Sequence, residues 1–155
     1  MQTFLPHKIF HISAEMLDYR RLGKQRVEAK QILNALDPEY NKKGWKTHPA
    51  VLMWKGYEEA LKYYANCMIK EWIKRGYNNT MELYTVDPKK YELPPWMGNE
   101  EFHKSHRMNL LRKDYDFYSD IFDEPIKYTT FEIESYPYWW PTEQGNIFSA
   151  NFAGD

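Results

Sequence analysis

Cations crowd one short stretch of this sequence, LDYRRLGKQRVEAKQIL at residues 17–33, which carries Arg20, Arg21, Lys24, Arg26 and Lys30. Guanidinium and ammonium groups at that density suit either of two tasks. They solvate a basic helix face, or they contact phosphates and release the counterions of a nucleic acid. Arg26 falls on the apolar side of the stripe Leu22, Ala29, Leu33 and Leu36. An arginine there needs a partner, and Glu15, Glu28 or a carboxylate from another helix can supply one.

Three further clusters could do chemistry. Glu100, His103 and His106 form one Glu-x-x-His turn with a neighbouring histidine. A metal centre needs a second such turn or more ligands than are apparent, so a helix-borne polar cluster without metal is expected. His48 precedes Pro49 and suits either a helix cap or an anion contact. YPYWWP at 136–141 offers flat faces on which bases stack, or bulk that closes a core. The sequence carries no phosphate-binding Walker loop, dinucleotide fingerprint or nucleophile elbow, and no cofactor is expected.

These side chains need helices to position them. Ser13 is placed to cap a first helix running to about Leu36, with Gly23 in its middle. An interior glycine disfavours a helix and signals close approach by a neighbour, a second helix or a phosphate backbone. His48 or Thr47 caps a second helix, Pro49 opens it, and Lys74, Arg75 and Gly76 close it. Its stripe of Trp54, Tyr57, Leu61, Tyr64, Met68 and Trp72 predicts one continuous element roughly 40 Å long. Residues 76–98 read as an ordered loop. Asn99 caps a third helix bearing His103, His106, Arg107 and Lys113, and Asp114 restarts a short one. From Pro125 the chain reads as irregular or weakly extended, and 142–155 as a tail. The expectation is an all-α single domain over 1–155, with three main helices and long ordered connections.

Composition narrows the class. The 155 residues suffice for one core without staples. Aromatics make up 17%, thirteen of them tyrosines, which suits wet binding surfaces as well as cores. Cys67 is the only cysteine, so no intramolecular disulfide forms. With no membrane-length apolar run and no signal-peptide pattern, a cytoplasmic setting and no membrane partner are expected. Net charge is −1, yet residues 1–80 hold fourteen Lys/Arg against eight Asp/Glu, while 81–155 hold seven against fourteen. Such asymmetry permits a basic face within a neutral protein.

The run HPAVLMWKGYEEALKYYANCMIKEWIKRGYNN resembles the central helix of the pyrimidine-dimer DNA glycosylases of the endonuclease V type. The points of likeness are Gly44, Trp45, His48, Pro49, Arg75, Gly76 and Tyr77. FHKSHRMNLLRKDYDFY is similar to that family's basic third helix, and YPYWWP to its aromatic C-terminal segment. The resemblance spans roughly residues 13–141 and rests on order and spacing. It implies a compact all-α, metal-independent enzyme, working as a monomer on damaged or base-modified double-stranded DNA that it kinks, with a base flipped out. It further implies an N-terminal α-amine that attacks the sugar C1′, releases the base and forms an imine, with β-elimination able to follow.

The family's nucleophile belongs to a small residue exposed by methionine removal, whereas the bulky Gln2 is expected to keep Met1 in place. The family's Arg-Glu pair aligns with Arg20-Arg21 or with Lys24-Gln25, and Glu28 lies one helical turn past Gln25. The implied catalytic set is therefore the amine of Met1 or Lys24, with Gln25 or Glu28 near the sugar. The implied DNA-contacting set is Arg20, Arg21, Arg26, His48, His103, His106, Arg107 and Lys113. Two alternatives to a glycosylase with lyase activity share the scaffold: a non-catalytic module for damaged or modified DNA, and a base-modifying enzyme of another reaction type.

Overall fold

The computed structural model describes residues 1–40, 48–122, 128–142 and 145–149. Gly44, Trp45, Thr47 and the end of the expected tail lie outside them. The described chain is mostly helical, as expected, with one β-hairpin near its C-terminus.

Two of the expected helices are each divided. The first becomes α1 (Phe10–Met16) and α2 (Tyr19–Leu36), parted by extended backbone at Leu17 and Asp18. Ser13 is no cap; it is buried within α1, and its hydroxyl donates to the His7 carbonyl at 2.8 Å. The break forms because Asp18 caps α2, accepting the Arg21 N–H at 3.4 Å. Tyr118 reinforces it, donating its hydroxyl to the Asp18 carboxylate while accepting the Asp18 N–H at 3.0 Å.

The second becomes α3 (Pro49–Leu52), capped by His48 Nδ1 accepting the Ala50 N–H at 3.0 Å, and α4 (Glu58–Lys74). Between them Gly56 sits at φ +89°, a left-handed conformation that glycine enters without a Cβ penalty. Helix α4 therefore rises roughly 26 Å instead of the expected span. It ends as the sequence indicates, at Arg75 and a left-handed Gly76.

Asn99 caps α5 (Glu100–Lys113) by accepting two backbone N–H groups, and Asp114 caps α6 (Tyr115–Tyr118). The stretch expected to be irregular holds α7 (Thr130–Ser135), started by a reciprocal capping box between Thr129 and Glu132. Strands β1 (Tyr138–Thr142) and β2 (Gly145–Ser149) pair antiparallel, Tyr138 opposite Ser149. Part of the expected tail is thus a strand.

Helix α2 packs along α4, α1 packs on α4, and α5 gathers α6, α7 and β1. The N-terminal segment runs through the middle of this arrangement. Gln2, Thr3, Phe4 and Leu5 are each 2% exposed or less. No helix among the described residues is long and apolar enough to cross a membrane.

Candidate active site

Residues 2–6 belong to no helix or strand, so their buried backbone groups need side-chain partners. Three helices provide them. From α2, Gln25 accepts the Phe4 N–H at 2.8 Å and donates to the Gln2 carbonyl at 3.1 Å. From α4, the Tyr64 hydroxyl donates to the Phe4 carbonyl at 2.9 Å and to Gln25 at 2.5 Å. From α5, His106 Nδ1 accepts the Leu5 N–H at 3.0 Å, and His103 Nδ1 donates to the Leu5 carbonyl at 2.8 Å. Trp54 Nε1 donates to Thr3 Oγ1 at 3.0 Å, and Arg107 to the Pro6 carbonyl at 3.0 Å.

The segment delivers the chain's first residue to a carboxylate. Glu28 Oε1 accepts the Gln2 N–H at 2.8 Å, and the Lys24 ammonium lies 4.0 Å from Glu28 Oε2. Glu28 itself is 8% exposed. Met1, Lys24 and Glu28 open together onto a cleft of about 550 Å³, whose rim carries Tyr19, Arg20 and Gln31. Met1, the Lys24 side chain, the Glu28 side chain and the exposed Arg20 thus share one concavity. An amine beside a carboxylate, facing an open cleft, is equipped to add to an electrophilic carbon and to move the protons involved.

Trp72 forms the far wall. A Cβ on Gly23 would stand 3.0 Å from its ring, so the glycine admits the indole against α2. The close approach expected at Gly23 therefore comes from the neighbouring helix α4, through a side chain. Arg26 lies over the Trp72 ring at 4.2 Å, Tyr77 packs on it at 4.5 Å, and its Nε1 donates to the Asn78 carbonyl at 2.7 Å. The basic run had not marked Trp72 or Tyr19 as part of a site. The glycine in mid-helix was the available signal for Trp72.

Several expected site residues take other positions. Gln25 is wholly buried, with both ends of its amide holding the N-terminal segment, so it anchors the chain and does not line the cleft. Glu28, one turn later, does line it. Arg21 pairs with Asp18 at 3.1 Å, and Arg26 stacks on Trp72 and donates to Asn79 at 2.9 Å; neither lines the cleft. His103 and His106 are 2% and 1% exposed and grip Leu5. Burial holds both imidazoles below their ordinary range, His106 well below it, with nearby charges adding to the effect at His106. Arg107 pairs with Glu100 at 2.8 Å, and the half-buried Lys113 ends α5. Arg20 and Lys24 are the members of the cationic set that remain exposed on the cleft.

His48 is a cap with a second neighbourhood. Its ring meets Trp140 edge-on at 5.8 Å, and burial, then the N-terminal ammonium, hold it below the ordinary histidine range. Of YPYWWP, Tyr138 and Trp140 are buried at 1% and 5%, so this segment chiefly closes the core.

Neither the curated proteins nor the solved structures compared with the chain give a match. The family of pyrimidine dimer DNA glycosylases matches residues 1–85, more than half of the chain, covering the buried N-terminal segment and helices α1 to α4. Every residue lining the cleft falls within that span. The chain belongs to the pyrimidine dimer DNA glycosylase family.

Proposed function

We propose that this protein excises damaged bases from double-stranded DNA and cleaves the resulting site through an imine on the Met1 α-amine. The contact between Glu28 and the Gln2 N–H carries this reading, because it sets a carboxylate beside the first residue at the mouth of the cleft. The neutral amine attacks C1′ as the glycosidic bond breaks, and the base leaves with a proton. Ring opening gives the imine, and loss of a C2′ proton then expels the 3′ phosphate. A free α-amine suits this task because its ordinary pKa of about 7.7–8.0 leaves a neutral fraction near pH 7. Glu28 stabilises the sugar as it becomes cationic and moves protons. Arg20 and the Lys24 ammonium hold phosphates at the rim.

Incubation with duplex DNA bearing a cyclobutane pyrimidine dimer tests the reading. Glycosidic-bond cleavage, read as base released after photoreversal of the dimer, and strand scission should appear with wild type and fall at least a hundredfold in Glu28→Gln. Salt-sensitive binding without scission would instead favour a non-catalytic module for damaged DNA.

A further inference from the structure

Four side chains stand in a row along the Trp72 wall of the cleft. The Arg26 guanidinium lies 4.2 Å from the Trp72 ring, the Tyr77 ring 4.5 Å from Trp72 at 36°, and the Tyr19 ring 6.0 Å from Tyr77 at 35°. The three rings are thus shingled. Tyr19 opens α2, Trp72 sits in the last turn of α4, and Tyr77 follows the left-handed Gly76 that ends that helix.

Arg26 closes the row at the Trp72 end. At the other end Tyr19 is 50% exposed and Tyr77 40%. Val27, 44% exposed, lines the same cleft as Tyr19. Adjoining exposed apolar groups beside a concavity mark a surface that takes a partner.

The neighbouring charges select the kind of partner. Arg20 is exposed, with its Nε 3.3 Å from the Tyr19 hydroxyl, and Lys24 is exposed on the cleft one turn later. Glu28 stands 4.0 Å from the Lys24 ammonium, so Arg20 is the principal attraction for phosphate. Cations beside bare aromatic rings match a phosphate chain that carries flat bases. A base within a duplex has its faces covered by the stack, whereas an unpaired base has them free.

We propose that Tyr19 and Tyr77 form a stacking platform for single-stranded DNA, with Arg20 and Lys24 on its phosphates. The protein then binds unpaired strands at the cleft in addition to the double-stranded substrate of the proposed reaction. The platform does not rest on the roles given to Met1 and Glu28.

Fluorescence anisotropy on the full chain, with a labelled oligothymidylate of about eight nucleotides, tests the proposal. A second oligomer of the same length, built of tetrahydrofuran abasic units, carries the phosphates without the bases. Wild type should bind the oligothymidylate at least fivefold more tightly than the abasic oligomer. Tyr19→Ala and Tyr77→Ala should each remove most of that preference, as should Tyr19→Leu, which is apolar without being flat. Tyr19→Phe keeps the ring and should keep the preference. Arg20→Ala should weaken both oligomers alike. Equal affinity of wild type for the two oligomers overturns the proposal, and so does a preference unchanged in Tyr19→Leu and Tyr77→Ala. A protein that shows the preference but cleaves no damaged duplex keeps the platform and loses the proposed reaction. One that cleaves the dimer and shows no preference keeps the reaction and loses the platform.

Discussion

Gln2 and Glu28 stand 26 positions apart in sequence and are joined by a 2.8 Å hydrogen bond from the Gln2 N–H to Oε1. That contact turns a buried N-terminal segment into a means of presenting an amine. The segment holds because polar side chains from three helices occupy its backbone groups, and each of those side chains is a point at which the account can be tested.

Gln25→Leu removes the acceptor of the Phe4 N–H and a donor to the Gln2 carbonyl, while the Tyr64 hydroxyl keeps the Phe4 carbonyl. Leaving the buried Phe4 N–H unpaired should cost about 3 kcal/mol in urea unfolding. Catalysis should fall further than stability explains, because the first residue is no longer fixed. A variant with wild-type stability would show that these hydrogen bonds are not what holds the segment.

Gly23→Ala should also destabilise. A Cβ would meet the Trp72 ring at 3.0 Å, and that ring is held by Arg26, Tyr77 and its own bond to Asn78. The gain in helix propensity is about 1 kcal/mol, while crowding a fixed side chain costs about 1–3 kcal/mol, so a net loss is expected. A more stable Gly23→Ala protein would mean that the cleft wall yields.

The caps of this fold were legible because they are local: His48 before Pro49, Asn99 before α5, and Gly76 after α4. The break at Asp18 was not, since it depends on the hydroxyl of Tyr118, a hundred positions away. The break at Gly56 was hidden by an apolar stripe that runs through it, with Trp54 before the break packed on Tyr64 after it. In the site, exposed Arg20 and Lys24 could be read from the cationic run. Gln25, His103 and His106 could not be placed, because the partner that buries them is a backbone segment with no periodicity of its own.

The two buried histidines make stability depend on acid. His106 must be neutral for Nδ1 to accept the Leu5 N–H, and its folded value lies well below the ordinary 6.5, chiefly through burial. His103 is lowered in the same direction, against raising contributions from the Leu5 carbonyl and Glu100. The folded state binds fewer protons than the unfolded one, so their contribution is complete above pH 6.5 and lost as pH falls below it. Stability should be level between pH 7.5 and 6.5 and fall from pH 6.5 to 5.5, by at most about 1.4 kcal/mol per pH unit for each histidine. His106→Gln should flatten that slope; a wild-type stability independent of pH in this range would count against the two histidines holding Leu5.

Salt dependence sorts the arginines. Arg20→Ala should lower the slope of log affinity against log salt by about 0.9, the value for one phosphate contact on duplex DNA. Arg26→Ala, which removes a cation from Trp72 and a bond to Asn79, should leave that slope alone and lower stability. The reverse pattern would place DNA on the other side of α2.

The most direct measurement is borohydride reduction of the protein with abasic duplex DNA, followed by peptide mapping of the trapped adduct. The account predicts a covalent link at the Met1 α-amine, blocked by prior acetylation of that amine and weakened in Glu28→Gln. An adduct at Lys24, or tight binding with no adduct at all, would contradict it.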